Sequence, residues 1–430
     1  MSEIIALDFG TTNSVLAVAD KAGNVQSASF DLGNSHFDTY RTILYLWQEQ
    51  DIRVAGSMPQ LRSCSGPFAI EEYQRESQDC RLIQSIKSYL AAKDFEGTEI
   101  FGNLFTLEDL IALFLNQLHH HAENDLGHLG RRVIAGRPVT FAGPRPDNAF
   151  AEARLRAAYE QAGFDVEAVV YEPLAASYYY GRTLEQPETV LVADFGGGTS
   201  DFSVIRFQPG KGIAGVQALA HTGLGIAGDS FDYRIIQNAI WPRLGFGTNY
   251  RAMGGTLPVP RQYYTAFARW HYLSMMHNQR TMTDLQAIIR TAESADDIAD
   301  LVTIIEDELG FFLYQSVSRA KAELSSQGET RLQFKHGGVE IDEKLTRADF
   351  ESWISPDIAE IEKAAKDCLD QAGLQASDIS KVFMTGGTSY VPAVRHLFED
   401  GFGKERVEIG QPFLSVAHGL AMIAADENIV

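Results

Sequence analysis

The chain has 430 residues, 45% of them hydrophobic and 22% charged, which is the composition of a folded globular protein and excludes a disordered one. Its net charge of −21 opposes binding to a nucleic-acid backbone, and no apolar run approaches the length of a bilayer-spanning helix. Three widely spaced cysteines, Cys64, Cys80 and Cys368, without a CxxC pair argue against a disulfide framework or a cysteine-rich zinc site.

In chain order, residues 3–30 open with an apolar run ending in Asp8-Phe9-Gly10, followed by Thr11-Thr12-Asn13, an alternating strand, a glycine turn and a third strand. Residues 31–106 read as a small α/β insertion. The spacing predicts helices over 107–125 and over 147–162, the latter capped by Asp147 or Asn148 and ended by Gly163. Residues 189–220 then repeat the opening: an apolar run to Asp194-Phe195-Gly196, the turn Gly197-Gly198-Thr199, a strand, a turn and a strand. A mostly helical insertion over about 229–330 follows, with a Gly- and Pro-rich stretch at 242–260. A helix over 357–372 stops at Gly373. The strand KVFMT leads through Thr385-Gly386-Gly387-Thr388-Ser389 into a helix beginning near Pro392, and a small-residue helix over 414–425 comes last. No separate C-terminal domain is expected after it. The opening MSEIIALDFG lacks the basic segment and cleavage site of a secretory leader, so a cytoplasmic location is expected.

Repetition of one three-stranded meander in two halves predicts a duplicated α/β fold of mixed sheets flanked by helices. The two turns also suggest chemistry. Small residues after a strand expose consecutive backbone N–H groups to a phosphate, and the hydroxyls of Thr11, Thr12 and Thr199 add donors. Asp8 and Asp194 repel phosphate and suit Mg²⁺ held through its waters. Two such hairpins facing one another would grip a polyphosphate from both sides. The run His119-His120-His121 is expected on a solvated or partly buried helix face, because neighbouring helical residues cannot all face one metal. Tyr263, Tyr264, Phe267, Trp270, His271 and Tyr272 are expected in the core of the second insertion, and the acids of 296–308 on a solvated face.

These motifs, taken together, resemble the ATPase domain of the Hsp70 chaperones within the actin/hexokinase/Hsp70 superfamily, and the likeness runs through nearly the whole chain. LDFGTTNS (7–14) and VADFGGGTSDFSV (192–204) are similar to the two phosphate loops, RLIQSIKSYL (81–90) to the segment of the catalytic lysine, VIAGRPVTF (133–141) to a strand with a hinge proline, and YEPLAASYYYG (171–181) to a connector with a catalytic acid. GDSFD (228–232), RAKAELSS (319–326) and MTGGTSYVP (384–392) fall where nucleoside-binding elements belong. The resemblance is greatest to short, YegD-type Hsp70-like proteins without a substrate-binding domain.

The resemblance implies an actin-like (ribonuclease H-like) fold. Lobe I would span 1–185 and lobe II 186–430, each with a mixed five-stranded sheet, and helix 414–425 would lie near the lobe interface. It implies Mg²⁺-dependent ATP hydrolysis, with ATP and ADP as ligands and no covalent cofactor. Lys87 would offset γ-phosphate charge, Glu172 and Asp194 would arrange metal waters, and Asp8 would sit opposite, with Thr199 among the catalytic residues. Gly10, Thr11, Thr12, Asn13, Gly196, Gly197 and Gly198 would hold phosphates. Gly228, Asp229, Lys321, Ser325, Gly386, Gly387 and Thr388 would hold the nucleoside. Pro138 and Pro173 would carry motion between lobes to an unknown protein partner, with no nucleic-acid or membrane partner. Ala322 and Ser318 depart from the family's adenosine segment, and Phe413 is a candidate to replace its stacking cation. The alternatives are a sugar-type small-molecule kinase and an actin-like polymerising ATPase.

Overall fold

The computed structural model describes residues 4–426 apart from 21, 34, 50–58, 76–79, 144–145, 182–183, 209–214, 253, 269–272, 274–275 and 410–414. It divides into two compact units. One comprises Met1–Ala227, Ile361–Ser389 and Arg395–Val430; the other comprises Gly228–Glu360 and Tyr390–Val394. Among the described residues no helix is long and apolar enough to cross a membrane.

The first unit holds both meanders. Strand Ile4–Asp8 pairs antiparallel with Asn13–Ala19, which pairs with Val25–Ser27, while Arg132–Arg137 and Asp165–Tyr171 extend the other edge in parallel. The short strand Tyr40–Arg41 pairs with Asn13 and Ser14, making this sheet six-stranded where five strands were expected. The second sheet has five strands in the order Val216–Leu224, Ser200–Phe207, Glu188–Phe195, Lys381–Thr385, Val407–Ile409. Its first three strands are antiparallel and its last two join in parallel.

Strand periodicity sorts side chains into two cores. Ile5, Leu7, Leu16 and Val18 face helices Leu107–Leu126 and Asn148–Gln161. The alternate residues Ala6, Val15, Ala17 and Ala19 enter a second core with Val190, Val192 and Phe383 of the other sheet and with helices Glu172–Gly181 and Ser415–Ala425. These two helices pack closely where Gly419 meets Ala175: a Cβ on Gly419 would fall 1.7 Å from the Ala175 carbonyl oxygen. Helix Leu107–Leu126 starts from a capping box in which the Thr106 hydroxyl accepts from the Asp109 N–H and the Asp109 carboxylate accepts from the Thr106 N–H. Asp147 caps helix Asn148–Gln161 by accepting from Phe150 N–H.

A three-stranded sheet and a helix are described between the first meander and helix Leu107–Leu126. Strand Ile43–Glu49 lies between Gln60–Ser65 and Cys80–Gln84, beside helix Gly66–Arg75. His119 is buried, its Nε2 lying 3.1 Å from the Gly130 carbonyl oxygen, and His121 stacks on Phe68 with centroids 4.1 Å apart.

In the second unit, helices Gln279–Ile289, Ala295–Glu306 and Gly310–Ser326 match the helical expectation for the insertion. The Gly- and Pro-rich stretch instead contains a hairpin, Asn249–Ala252 with Gly255–Pro258, whose turn holds Gly254 at φ 78°. A longer hairpin, Glu329–His336 with Val339–Thr346, leads into helix Arg347–Ala372, which begins ten residues before the expected start at 357. Tyr263, Tyr264 and Phe267 are buried in this unit; Trp270, His271 and Tyr272 lie outside the described residues.

Candidate active site

The two Asp-Phe-Gly turns are built alike. In each the phenylalanine is driven into its own core and the acid stays at the strand end. Phe9 is fully buried 5.6 Å from the Phe114 ring, and Phe195 is fully buried 5.9 Å from both Phe202 and Phe398. Burying one such ring contributes about 1.5–3 kcal/mol, enough to fix the strand end beside it.

The first turn has no room for a side chain at Gly10. A Cβ on Gly10 would sit 2.1 Å from the Asn13 carbonyl oxygen. Thr42 braces this loop, its hydroxyl donating to the Gly10 carbonyl at 2.8 Å and its N–H to that of Thr12 at 2.9 Å. In the second loop Gly196 N–H donates to the Thr199 carbonyl at 2.9 Å, closing the turn Gly196–Thr199. Gly386 follows the parallel partner of the Asp194 strand; its φ of 85° and the 1.9 Å that would separate a Cβ from the Phe195 oxygen both require glycine. The Thr388 hydroxyl donates to the Gly196 carbonyl at 3.3 Å, so the loop at 386–388 rests directly on the second turn.

Lys87 reaches this region from the 3-10 turn Ile86–Tyr89. Ser85 enters that turn with φ 52°, a left-handed conformation costing on the order of 1–2 kcal/mol. Arg154 holds the chain that follows by donating to the carbonyls of Ala92 and Phe95, while it pairs with Glu108 at 2.5 Å. Glu172 begins helix Glu172–Gly181 with Pro173 in the first turn, where a missing N–H costs nothing. The Lys87 ammonium donates to Glu172 Oε1 at 2.5 Å, and both residues are buried.

Four carboxylates surround this one ammonium electrostatically. Burial pushes the Asp8 carboxyl up to about 8, reinforced by Glu172 and Asp194 and opposed by Lys87. Burial, then Glu172 and Asp201, hold Asp194 well above the usual carboxylate range. Burial and Glu172 raise Asp201 to about 7, against hydrogen bonds from Thr199 and from Thr140 N–H at 3.4 Å. Burial works to lower the Lys87 ammonium, but Glu172, Asp8 and Asp201 outweigh it and raise its pKa. Tyr159, whose buried hydroxyl has no hydrogen-bond partner among the described residues, is raised by burial and then by Asp8 and Glu172.

The structure therefore brings Asp8, Lys87, Glu172 and Asp194 into one electrostatic centre. Gly10, Thr11, Thr12 and Asn13 form the turn beside Asp8; Gly196, Gly197, Gly198 and Thr199 form the turn beside Asp194; Gly386, Gly387 and Thr388 adjoin the latter. Asp201 was not assigned a role from sequence, yet it is 1% exposed and pairs directly across the hairpin with Asp194. Counting residues across the Gly-Gly-Gly turn would have found it. In the second unit, Lys321 Nζ donates to the Gly228 carbonyl at 3.0 Å and to Asp232 at 2.9 Å, and the Ser325 hydroxyl donates to the Lys321 carbonyl at 3.2 Å. Asp229 occupies the first turn of helix Gly228–Ile235. Phe413 lies outside the described residues.

A divalent cation suits the charge of this centre, because its charge would offset the burial and mutual repulsion that raise these acids. Among the described residues no three His, Cys, Asp or Glu side chains converge to hold an ion directly. Asp8 and Asp194 are thus suited to Mg²⁺ that keeps its waters, as Mg²⁺ commonly does.

The family model described as Hsp70 protein matches residues 73–242 and 309–426. The chain belongs to the Hsp70 family. It is similar to the chaperone protein DnaK of Thermus thermophilus, 27% identical over 433 residues that cover 99% of this chain and 61% of that protein. The chaperone protein DnaK of Deinococcus proteolyticus is 26% identical over 450 residues, covering 100% and 60% respectively. The chain thus spans about three fifths of the length of these relatives. The family match includes Lys87, Glu172, Asp194 and the loop at 386–388, and the mixed α/β sheets agree with the ATPase fold of that family.

Proposed function

We propose that the chain is an Hsp70-type module that binds ATP with Mg²⁺ and hydrolyses it. The observation that carries this reading is the buried Lys87–Glu172 pair at 2.5 Å, set in the field of Asp8, Asp194 and Asp201 at the ends of two glycine-turned hairpins. Nucleophilic covalent chemistry is not required: phosphoryl transfer is catalysed by positioning and charge. The turn N–H groups and the hydroxyls of Thr11, Thr12 and Thr199 would hold phosphate oxygens. Lys87 would lie against the γ-phosphate, and Glu172 keeps its ammonium in place and charged. Asp8 and Asp194 would hold metal-bound waters and, with Asp201, orient the attacking one. Mg²⁺, when bound, would neutralise charge on the β- and γ-phosphates.

Gly228, Asp229, Lys321 and Ser325 would contact the nucleoside. Lobes spanning 1–185 and 186–430 would close on ATP and relay the change through Pro138 and Pro173 to a protein partner in the cytoplasm. The reading extends to a YegD-type protein, with a chaperone-related or regulatory role. Ala322, exposed on helix Gly310–Ser326, offers no cation to stack on a base, so purine preference is measured separately by calorimetry with ATP, ADP and GTP. The deciding experiment is phosphate release from Mg-ATP. Asp194→Asn is expected to slow turnover at least 100-fold, as removal of a charge-stabilising group does. Turnover equal to that of the unaltered protein would overturn the assignment.

A further inference from the structure

The second unit contains an open cavity of about 380 Å³ lying within residues 228–360. It forms where helix Gly228–Ile235 widens into a π-helical turn, Ile236–Ile240, and then tightens into the 3-10 turn Trp241–Leu244. Such widened turns recur at functional sites because they displace side chains from the regular helical face. Trp241, Phe246 and Trp353 provide flat apolar walls, and Arg234, Arg261 and Gln237 provide polar ones.

The aromatic wall is fixed in advance. Trp241 is 2% exposed, and its ring lies 4.9 Å from Phe246 and 5.8 Å from both Tyr233 and Tyr264. The Tyr264 hydroxyl donates to the Leu244 carbonyl at 2.8 Å and holds that ring still. The Trp241 indole N–H has no acceptor among the described residues.

The two arginines differ. Arg234 donates to both oxygens of Asp357, at 2.8 and 2.9 Å, and is neutralised. Arg261 is exposed, makes no ion pair among the described residues and lies 5.8 Å from the Trp241 ring centroid. Among the described residues no acid lines the cavity, although the chain carries a net charge of −21. One exposed guanidinium without an ion pair suits a singly charged anion better than a phosphate dianion, which needs more donors. We propose that this cavity binds a small planar carboxylate, its aromatic body against Trp241, Phe246 and Trp353 and its carboxylate on the Arg261 guanidinium.

Calorimetry on the full chain tests this with 2-naphthoate, its uncharged analogue 2-naphthamide, and inorganic phosphate. Naphthoate is expected to bind, and naphthamide at least tenfold more weakly, because a charge-assisted hydrogen bond is lost. Arg261→Gln, at an exposed side chain, is expected to weaken naphthoate about tenfold and leave naphthamide unchanged. Trp353→Leu is expected to weaken both, and saturating Mg-ATP neither. The proposal is overturned by any of three results: no naphthoate binding, equal affinity for naphthoate in Arg261→Gln, or displacement of naphthoate by phosphate or Mg-ATP. Because the cavity is probed without hydrolysis, these outcomes are separable from a failure of the ATPase reading.

Discussion

Asp8→Asn is expected to stabilise the nucleotide-free protein, and to do so increasingly as pH rises. The Asp8 carboxyl stands at about 8 in the folded chain against an ordinary 3.8, because burial and the neighbouring Glu172 and Asp194 resist its ionisation. In the unfolded chain it ionises near its ordinary value. Between about pH 4 and pH 8 the unfolded state therefore binds fewer protons than the folded one, so this group lowers stability as pH rises. Asparagine carries no charge at any of these pH values and removes the penalty. From pH 5 to pH 8 the full effect would be about 4 kcal/mol, at 1.36 kcal/mol per unit. Asp8 keeps partial contact with solvent and shares its field with Lys87, so about a third of this is expected, ~1–2 kcal/mol. Lys87 remains charged in the variant because Glu172 still accepts its hydrogen bond.

The assay is unfolding of both proteins by heat or urea at pH 5, 6, 7 and 8, with EDTA and without nucleotide. The difference in melting temperature should widen by about 1–2 °C across the series, since ~1 kcal/mol moves a chain of 430 residues by about 1 °C. Mg-ATP should then stabilise the unaltered protein more than the variant. Parallel pH curves, or a variant less stable at pH 8 than its parent, would refute the electrostatic reasoning.

Two further substitutions probe the packing that holds the centre. Lys87→Met leaves Glu172 buried without its partner and should cost about 3–5 kcal/mol in urea unfolding, most of it regained on adding Glu172→Gln; a stable single variant would contradict the buried pair. Gly419→Ala should destabilise by ~1–3 kcal/mol, although alanine favours a helix, because its Cβ would meet the Ala175 carbonyl. Gly401→Ala, with nothing within 4 Å, is the control and should be neutral or slightly stabilising; equal effects at both glycines would show that helix propensity, not packing, decides.

Features set by neighbours in sequence were legible before the structure. Strand alternation, the two Asp-Phe-Gly turns and the cap at Asp147 all act over a few residues, and all appear where the pattern puts them. Features set by distant neighbours were not. The strand Tyr40–Arg41 is too short to show a period and exists because Asn13 and Ser14 offer it a free edge. The early start of helix Arg347–Ala372 follows from a hairpin that delivers the chain there, and its Pro356 reads from sequence as a boundary. The Gly- and Pro-rich stretch hid a hairpin because its strands are four residues each, with little apolar alternation.

The same division applies to the site. The loops were readable because a phosphate cradle is local backbone, whereas the Lys87–Glu172 pair joins residues 85 positions apart and neither is unusual alone. Family resemblance named both residues, and the structure supplies the physical reason for taking them as a unit: the two are buried and joined directly by a hydrogen bond. The remaining acids cannot be satisfied in that way. Asp8, Asp194 and Asp201 share one ammonium already committed to Glu172, and burial, with repulsion from Glu172, raises all three. A fold that sought stability alone would replace them with amides. Three acids at the strand ends and beside the glycine turns fit the proposed cation-borne polyphosphate: the metal's charge would relieve the acids, and the turn N–H groups would relieve the phosphates. Removing one acid should accordingly strengthen the empty protein and weaken its response to Mg-ATP, two opposite effects of a single charge.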